Sequence, residues 1–176
     1  MKYLDGEFPF AYSEPMKIIV FSDTHGNYPL AVRAVDNAGP VDHIIHLGDG
    51  TGDATMMEHA LGRPVLKVAG NCDLLSPEPK EIRTAFARKN FFITHGDRYN
   101  VKSGLSQLQL KARNAKSHVV LYGHTHAASV VNLGGVLFVN PGCVSEACTH
   151  RSFALLTITD GNVSAEIVDI TSPEWG

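Results

Sequence analysis

Hydrophobic positions along this chain fall in short blocks rich in Val and Ile, each closed by a polar cluster. KIIVF (17–21), HIIHL (43–47), PVLKVAG (64–70), FFITH (91–95) and VVLYGH (119–124) have the length of buried strands; a strand covered on both faces reads as a nearly continuous apolar run. Between the early blocks the period lengthens. Leu30, Ala34, Val35 and Ala38 share one face of a helix predicted over 29–38, and a second helix is predicted over 53–61 with Asp53 as its N-cap. A third, over 103–116, sets Leu105, Leu108 and Ala112 on one core-facing stripe. After it the pattern changes to hairpins: SVVN and VLFVN around Leu-Gly-Gly, then FALLTIT and VSAEIVDI around Asp160-Gly161-Asn162.

Strand–helix alternation followed by an antiparallel meander predicts one α/β domain, with two packed β-sheets flanked by helices. The domain is expected over 16–172. Residues 1–15, with Pro9, Pro15 and no clean period, are expected as an N-terminal arm. Residues 173–176 are expected as a tail that frays unless Trp175 packs on a neighbouring surface.

Composition narrows the function classes. With 176 residues, 44% of them hydrophobic, the chain buries a sizeable core, which excludes a disordered protein. A net charge of -3 gives no broad field for nucleic acid or an anionic membrane, and no Lys/Arg stripe is interleaved with aromatics. No apolar run approaches the roughly 20 residues that span a bilayer, and the opening residues lack the basic-then-apolar order of a signal peptide. Cys72, Cys143 and Cys148 are too few and too unevenly placed for a disulfide framework, and no CxxC pair suggests a thiolate zinc knuckle. A reducing, cytoplasmic setting is expected.

The chemistry gathers where the apolar blocks stop: SDTHGN, LGDG, AGNCD, THGD and GHTH. Ligands of α/β sheets collect beyond the carboxyl ends of strands, so these five segments form one set. Asp23, His25, Asp49, Asn71, His95, His124 and His126 offer two carboxylates, an amide oxygen and four imidazoles. Such mixed donors suit Mn, Fe, Zn, Ni or Co better than Ca or Mg. They outnumber the needs of one four-coordinate ion, so two ions sharing a ligand is the economical reading. Gly26, Gly48, Gly70, Gly96 and Gly123 flank them and permit close backbone approach. Singly, each donor has an ordinary reading: Asp49 a turn or cap, Asn71 an Asx-turn, His95 a strand-end hydrogen bond. His46, just before Leu47-Gly48-Asp49, is placed beside the donors rather than among them.

The ordered series D-x-H, G-D, G-N-x-D, H and G-H-x-H resembles the calcineurin-like metallophosphoesterase superfamily from Lys17 to about Ile170. SDTHGN, GNCD and the NPG at 140–142 look most like its small prokaryotic phosphodiesterases. The resemblance implies that Asp23, His25 and His126 hold one divalent ion, that Asn71, His95 and His124 hold a second, and that Asp49 bridges them. Manganese is the expected metal, with Ni, Fe, Zn or Co as substitutes. It further implies hydrolysis of phosphodiesters, and of monoesters as a secondary activity, by a hydroxide activated between the ions.

One position departs from the pattern. Cys72 stands where many members carry a histidine that protonates the leaving alkoxide, and a thiol is a weaker donor. Cys72 then has a substrate-side role with Asp73 or water aiding departure, or is a small residue packed beneath the metal loop. The catalytic set is Asp49, Asn71, Cys72 and Asp73; Asn71 and Cys72 are the expected substrate contacts. The expected partner is a small phosphodiester, with no membrane, no extended nucleic-acid track, and room for a homodimer or tetramer. The alternatives are a nuclease on short nucleic acids and a protein-binding scaffold, since a retromer subunit of similar fold has lost part of the metal constellation.

Overall fold

Period-two alternation in the central strands decides which layer each side chain joins. In β1 (Met16–Phe21), Ile18 and Val20 enter a core that also holds Phe91, Ile93, Val119 and Leu121 of a second sheet. Ile19 and Phe21 point the other way and pack on helices α1 (Tyr28–Asn37) and α2 (Thr51–Leu61) through Leu30, Ala34, Val35 and Met57. The computed structural model describes residues 14–172 and 175.

The remaining elements are β2 (His43–His46), β3 (Leu66–Lys67), β4 (Glu81–Phe86), β5 (Lys89–Thr94), a 3-10 turn at Asp97–Tyr99, α3 (Ser106–Asn114), β6 (Val119–Leu121), β7 (Ser129–Leu133), β8 (Val136–Asn140), β9 (Ser152–Thr159) and β10 (Asn162–Asp169). They form two five-stranded sheets, β10-β9-β1-β2-β3 and β4-β5-β6-β8-β7. One apolar layer lies between the sheets, a second under α1 and α2, and a third joins Phe92, Val120 and Phe138 to Leu108 and Ala112 of α3. Each fully buried Ile or Phe contributes about 1.5–3 kcal/mol. This is the expected pair of packed sheets flanked by helices.

Four local expectations are corrected. The C-terminal strands are not one meander: β7–β8 joins the second sheet and β9–β10 the first. Strand β9 is buried on both faces, Leu156 and Ile158 toward the intersheet core and Phe153 toward the helical layer. It therefore lies inside a sheet, antiparallel to β1, rather than beside β8. The apolar stretch 64–70 yields only a two-residue strand, because the Ala69 N–H bonds the Pro79 carbonyl outside the sheet. Strand β4 was not expected, and it pairs with β5 through a turn at Ala87 and Arg88. Helix α2 starts at Thr51 with Gly50 as N-cap, so Asp53 lies in its first turn. Of the two expectations for the tail, packing holds for Trp175: its ring meets Phe153 edge-on at 6.1 Å. The proposed arm falls outside the described residues up to position 13.

Candidate metal centre

Parallel pairing of β1 with β2, and of β5 with β6, sets their carboxyl ends side by side. Backbone bonds then lash the loops together: Asp23 N–H to Gly48 O (3.0 Å), His25 N–H to Asp49 O (3.3 Å) and Gly123 N–H to His95 O (2.9 Å). Glycine is required where the loops cross. A Cβ on Gly48 would overlap the Gly70 backbone, and one on Gly70 would overlap the Asp49 carboxylate.

The seven predicted donors meet in two adjoining groups. In the first, Asp23 is fully buried; its Oδ2 accepts the Ser22 hydroxyl (2.5 Å) and the His124 N–H (3.2 Å). Its Oδ1 has no hydrogen-bond partner and faces His126 Nε2 at 3.1 Å and His25 Nε2 at 4.0 Å. An unsatisfied buried oxygen costs about 1–3 kcal/mol, more when charged. A cation held between this oxygen and the two imidazoles removes that penalty.

In the second group the tautomer of His95 can be assigned. Its Nδ1 lies 2.9 Å from the Leu47 carbonyl, which only accepts, so Nδ1 carries the proton and Nε2 of the neutral ring is a lone pair. Around that lone pair stand Asn71 Oδ1 (3.1 Å), His124 Nδ1 (3.1 Å) and Asp49 Oδ2 (3.4 Å). Converging lone pairs repel unless positive charge sits among them, as a proton or a metal ion. The protonation tendency agrees: burial pulls the His95 pKa down, but the Asp49 hydrogen bond and the charges of Asp23 and Asp49 prevail and raise it. His124 is lowered by burial and by its proximity to His95.

Asp49 stands between the groups. Its Oδ2 is 4.0 Å from His25 Nε2 and 3.4 Å from His95 Nε2, and its Oδ1 accepts the Cys72 N–H at 2.7 Å. Burial works to raise its pKa, yet hydrogen bonds with His95 and the Cys72 backbone hold the carboxyl well below the usual range. Backbone strain marks the same residues. Asp23, His25, Asp49, His124 and His126 all have positive φ, between 42° and 68°. Non-glycine residues adopt this region uncommonly, at a cost of about 1–3 kcal/mol each, and such residues cluster at functional sites.

The flanking residues divide differently from the sequence expectation. Cys72 is exposed, so it is not packed beneath the loop. Its hydrogen bond to Asp49, then partial burial, pushes the thiol up to about 11, which keeps it neutral. The Asp73 carboxylate, by contrast, is already occupied by hydrogen bonds. Oδ2 accepts the N–H of Asp49 (2.8 Å) and Gly70 (2.9 Å), and Oδ1 accepts the N–H of Gly50 (3.1 Å) and Thr51 (3.0 Å) and the Thr51 hydroxyl (3.1 Å). It supplies negative charge to the N-terminus of α2, where Gly50 offers no side-chain cap.

Asp53, expected as that cap, instead accepts the Thr24 hydroxyl (2.5 Å) and the Gly26 N–H (2.6 Å), holding the first ligand loop. His46 completes this brace. Nδ1 accepts the Gly48 N–H at 3.1 Å, so Nε2–H donates to the Thr24 hydroxyl at 3.1 Å. Asn140, the first residue of the NPG segment, supports a neighbouring loop. Its buried amide donates to Gly123 O (3.0 Å) and the Thr125 hydroxyl (2.9 Å) and accepts the Gly142 N–H (3.0 Å), clamping the GHTH loop. Beyond it, Cys143 and Cys148 are joined by a disulfide, correcting the expectation of unpaired cysteines. Among the described residues no helix is long and apolar enough to cross a membrane.

Known proteins resemble this chain in sequence and in fold. The sequence profile of the calcineurin-like phosphoesterase superfamily domain matches residues 16–161. A probable metallophosphoesterase of Bacillus subtilis, YsnB, is 28% identical over 88% of this chain and 91% of its own. A phosphodiesterase of Methanocaldococcus jannaschii, MJ0936, is 30% identical over 77% of this chain and 86% of its own. The crystal structure of a predicted phosphoesterase from Streptococcus pneumoniae superposes with a TM-score of 0.76 at 26% identity, covering 89% of this chain and 91% of that one. By the profile match over most of its length, this chain belongs to the calcineurin-like phosphoesterase superfamily.

Proposed function

We propose that the protein is a phosphoric ester hydrolase that cleaves small phosphodiesters, and monoesters more slowly, with two divalent ions. The observation that carries this reading is the pairing of two donor groups, Asp23–His25–His126 and Asp49–His95–His124, with donor atoms in each within 4.8 Å of one another and a buried Asp23 oxygen left unpaired between imidazoles. Asp23, His25 and His126 would hold one ion, and Asn71, His95 and His124 the other, with Asp49 shared. The mixed nitrogen and oxygen donors suit manganese, with Ni, Fe, Zn or Co as substitutes. When bound, the two ions neutralise phosphoryl oxygens and acidify the attacking water.

The chain's own residues do the rest. The His95 Nδ1–H···Leu47 bond fixes the ring with its lone pair inward, and Asn71 contributes an amide oxygen without adding charge against an incoming phosphate. Cys72, exposed and neutral, offers a weak hydrogen bond to the leaving oxygen, and Asp73 is committed to the α2 backbone. No strong proton donor faces the leaving group from these two positions. This supports a preference for good leaving groups such as aryl oxides. The acidic chain supports a cyclic or short nucleotide rather than a long nucleic acid as the physiological class. A cytoplasmic location and a dimeric or tetrameric state belong to the same proposal.

The test is hydrolysis of a bis-aryl phosphate after metal removal, after reloading with Mn, Ni or Zn, and in Asp49→Asn. Activity should vanish on stripping, return with metal, and fall by orders of magnitude in the variant. Hydrolysis indifferent to both treatments would sink the proposal. Inactivity with every metal, together with tight binding to a protein partner, would favour the scaffold.

A further inference from the structure

His126 presents its two ring nitrogens to different neighbours. Nε2 lies 3.1 Å from Asp23 Oδ1, while Nδ1 lies 3.8 Å from Cys148 Sγ on the opposite edge of the ring. Cys143 Sγ completes a second triangle: one nitrogen of His126 and the two sulfurs all lie within 4.8 Å of one another. We propose that His126, Cys143 and Cys148 form a thiol-gated site for a soft divalent ion of the zinc class, closed while the sulfurs are bonded and opened by a dithiol reductant.

Distances favour such a site. Tetrahedral zinc, with Zn–S of about 2.3 Å and Zn–N of about 2.0 Å, sets neighbouring donors roughly 3.5 Å apart. The His126–Cys148 separation is already close to that. The required change is the parting of the two sulfurs, and the loop is built to allow it on one side. Cys143 is fully buried and anchored, its carbonyl accepting the Ser152 N–H (3.0 Å) while the following Val144 and Ser145 N–H groups bond Asp23 O (3.4 and 3.0 Å). Cys148 is at the partly exposed rim, five residues on, held by one backbone bond to Ser145 O at 3.0 Å. One sulfur is fixed and the other swings. Thiolate donors also separate this site chemically from its neighbour, whose oxygen and nitrogen donors take harder ions.

The gating step balances as a thiol–disulfide exchange. A reductant thiolate attacks the accessible Cys148 sulfur, the S–S bond breaks, and Cys143 leaves as thiolate. The reductant's second thiol then attacks its own sulfur in the mixed disulfide and releases Cys148. The reductant ends as a disulfide, its two electrons reside on the cysteine pair, and its two protons pass to the freed sulfurs or to solvent. The incoming ion replaces those protons. A neutral imidazole serves one ion: coordination through Nδ1 leaves the proton on Nε2, where it faces Asp23 Oδ1 at 3.1 Å and removes the lone pair that an ion beside Asp23 would need. That last consequence rests on the function proposed above; the site itself does not.

Cobalt(II), a spectroscopic stand-in for zinc, tests the site in metal-free protein carrying Cys72→Ser, so that the remaining cysteines are these two. One portion is reduced with a dithiol that is then removed, and the other is left oxidised. The reduced portion should develop a near-ultraviolet thiolate-to-cobalt charge-transfer band that zinc abolishes, and the oxidised portion should not. Cys148→Ser, or alkylation of the reduced thiols without any substitution, should remove the band while circular dichroism stays native. Absence of the band after verified reduction, an equal band in the oxidised portion, or a band that survives alkylation would overturn the proposal.

Discussion

Acidification should weaken this fold through one side chain, His46. The ring is fully buried, and both of its nitrogens are committed: Nδ1 accepts from Gly48 and Nε2–H donates to Thr24. A proton on Nδ1 would point an N–H at the Gly48 N–H 3.1 Å away and put a charge in the interior. Burial therefore holds its pKa down to about 4, against the pull of the Asp53, Asp23 and Asp73 carboxylates. In the unfolded chain the ring titrates near the ordinary value of about 6.5. Between these two values the unfolded state binds a proton that the folded state refuses, so stability rises with pH across the window and is lost on acidification. At about 1.4 kcal/mol per pH unit the gap is worth about 3 kcal/mol. His46→Gln removes the titration while its amide still accepts from Gly48 and donates to Thr24. Urea unfolding of metal-free wild type and variant, each from about pH 7.5 down to about pH 4, isolates the effect, because all other groups titrate in both. Wild type should lose about 3 kcal/mol more than His46→Gln over that range. Parallel curves would refute the reasoning.

Asp73→Ala should lower the unfolding free energy by about 3 kcal/mol with an unchanged denaturant slope, because five donors at Gly70 and the start of α2 lose their acceptor. Asp73→Asn should recover part of this through its remaining oxygen. Gly70→Ala should leave circular dichroism native yet weaken metal binding by about tenfold or more in calorimetry, since the new Cβ displaces Asp49. Cys72→His should raise alkyl phosphodiester hydrolysis by up to about 100-fold while leaving aryl hydrolysis nearly unchanged. An unaltered aryl-to-alkyl ratio would remove leaving-group protonation from the account.

The layers and the donor set were legible in the sequence because both follow short-range rules. A strand buried on both faces must be a continuous apolar run, and the polar residue that ends it must lie at the sheet's edge, so Asp23, Asp49, His95 and His124 could be placed before their neighbours were known. What escaped depended on partners distant in the chain. Strand β4 reads Glu-Ile-Arg-Thr-Ala-Phe, with only Phe86 buried, and its turn uses Ala87 and Arg88 at positive φ without glycine or asparagine to announce it. The cap of α2 comes from Asp73, beyond the next strand, and no local pattern around Asp53 announces it. The roles of Asn140 and His46 are fixed by contacts to Gly123 and Thr24, about 20 residues away in sequence. The cysteine pair failed for a similar reason: a loop closed by Cys143 and Cys148 has no CxxC signature, and its third member, His126, belongs to another motif.

The order of strands in the first sheet bears on how the protein emerges during synthesis. Strand β1 is translated before every other described strand, yet its neighbour on one side, β9, pairs Ile158 with Met16 and follows all of them but β10. Until then the edge of β1 presents unpaired backbone N–H and C=O groups beside an apolar face, a template for mispairing with another nascent chain. The second sheet, β4 to β8, is contiguous in sequence and needs no later segment to complete its strand order. A chain cut short before Ser152 would thus have every strand of one sheet and leave the other open, and its need for chaperone protection should persist until the β9–β10 hairpin is available.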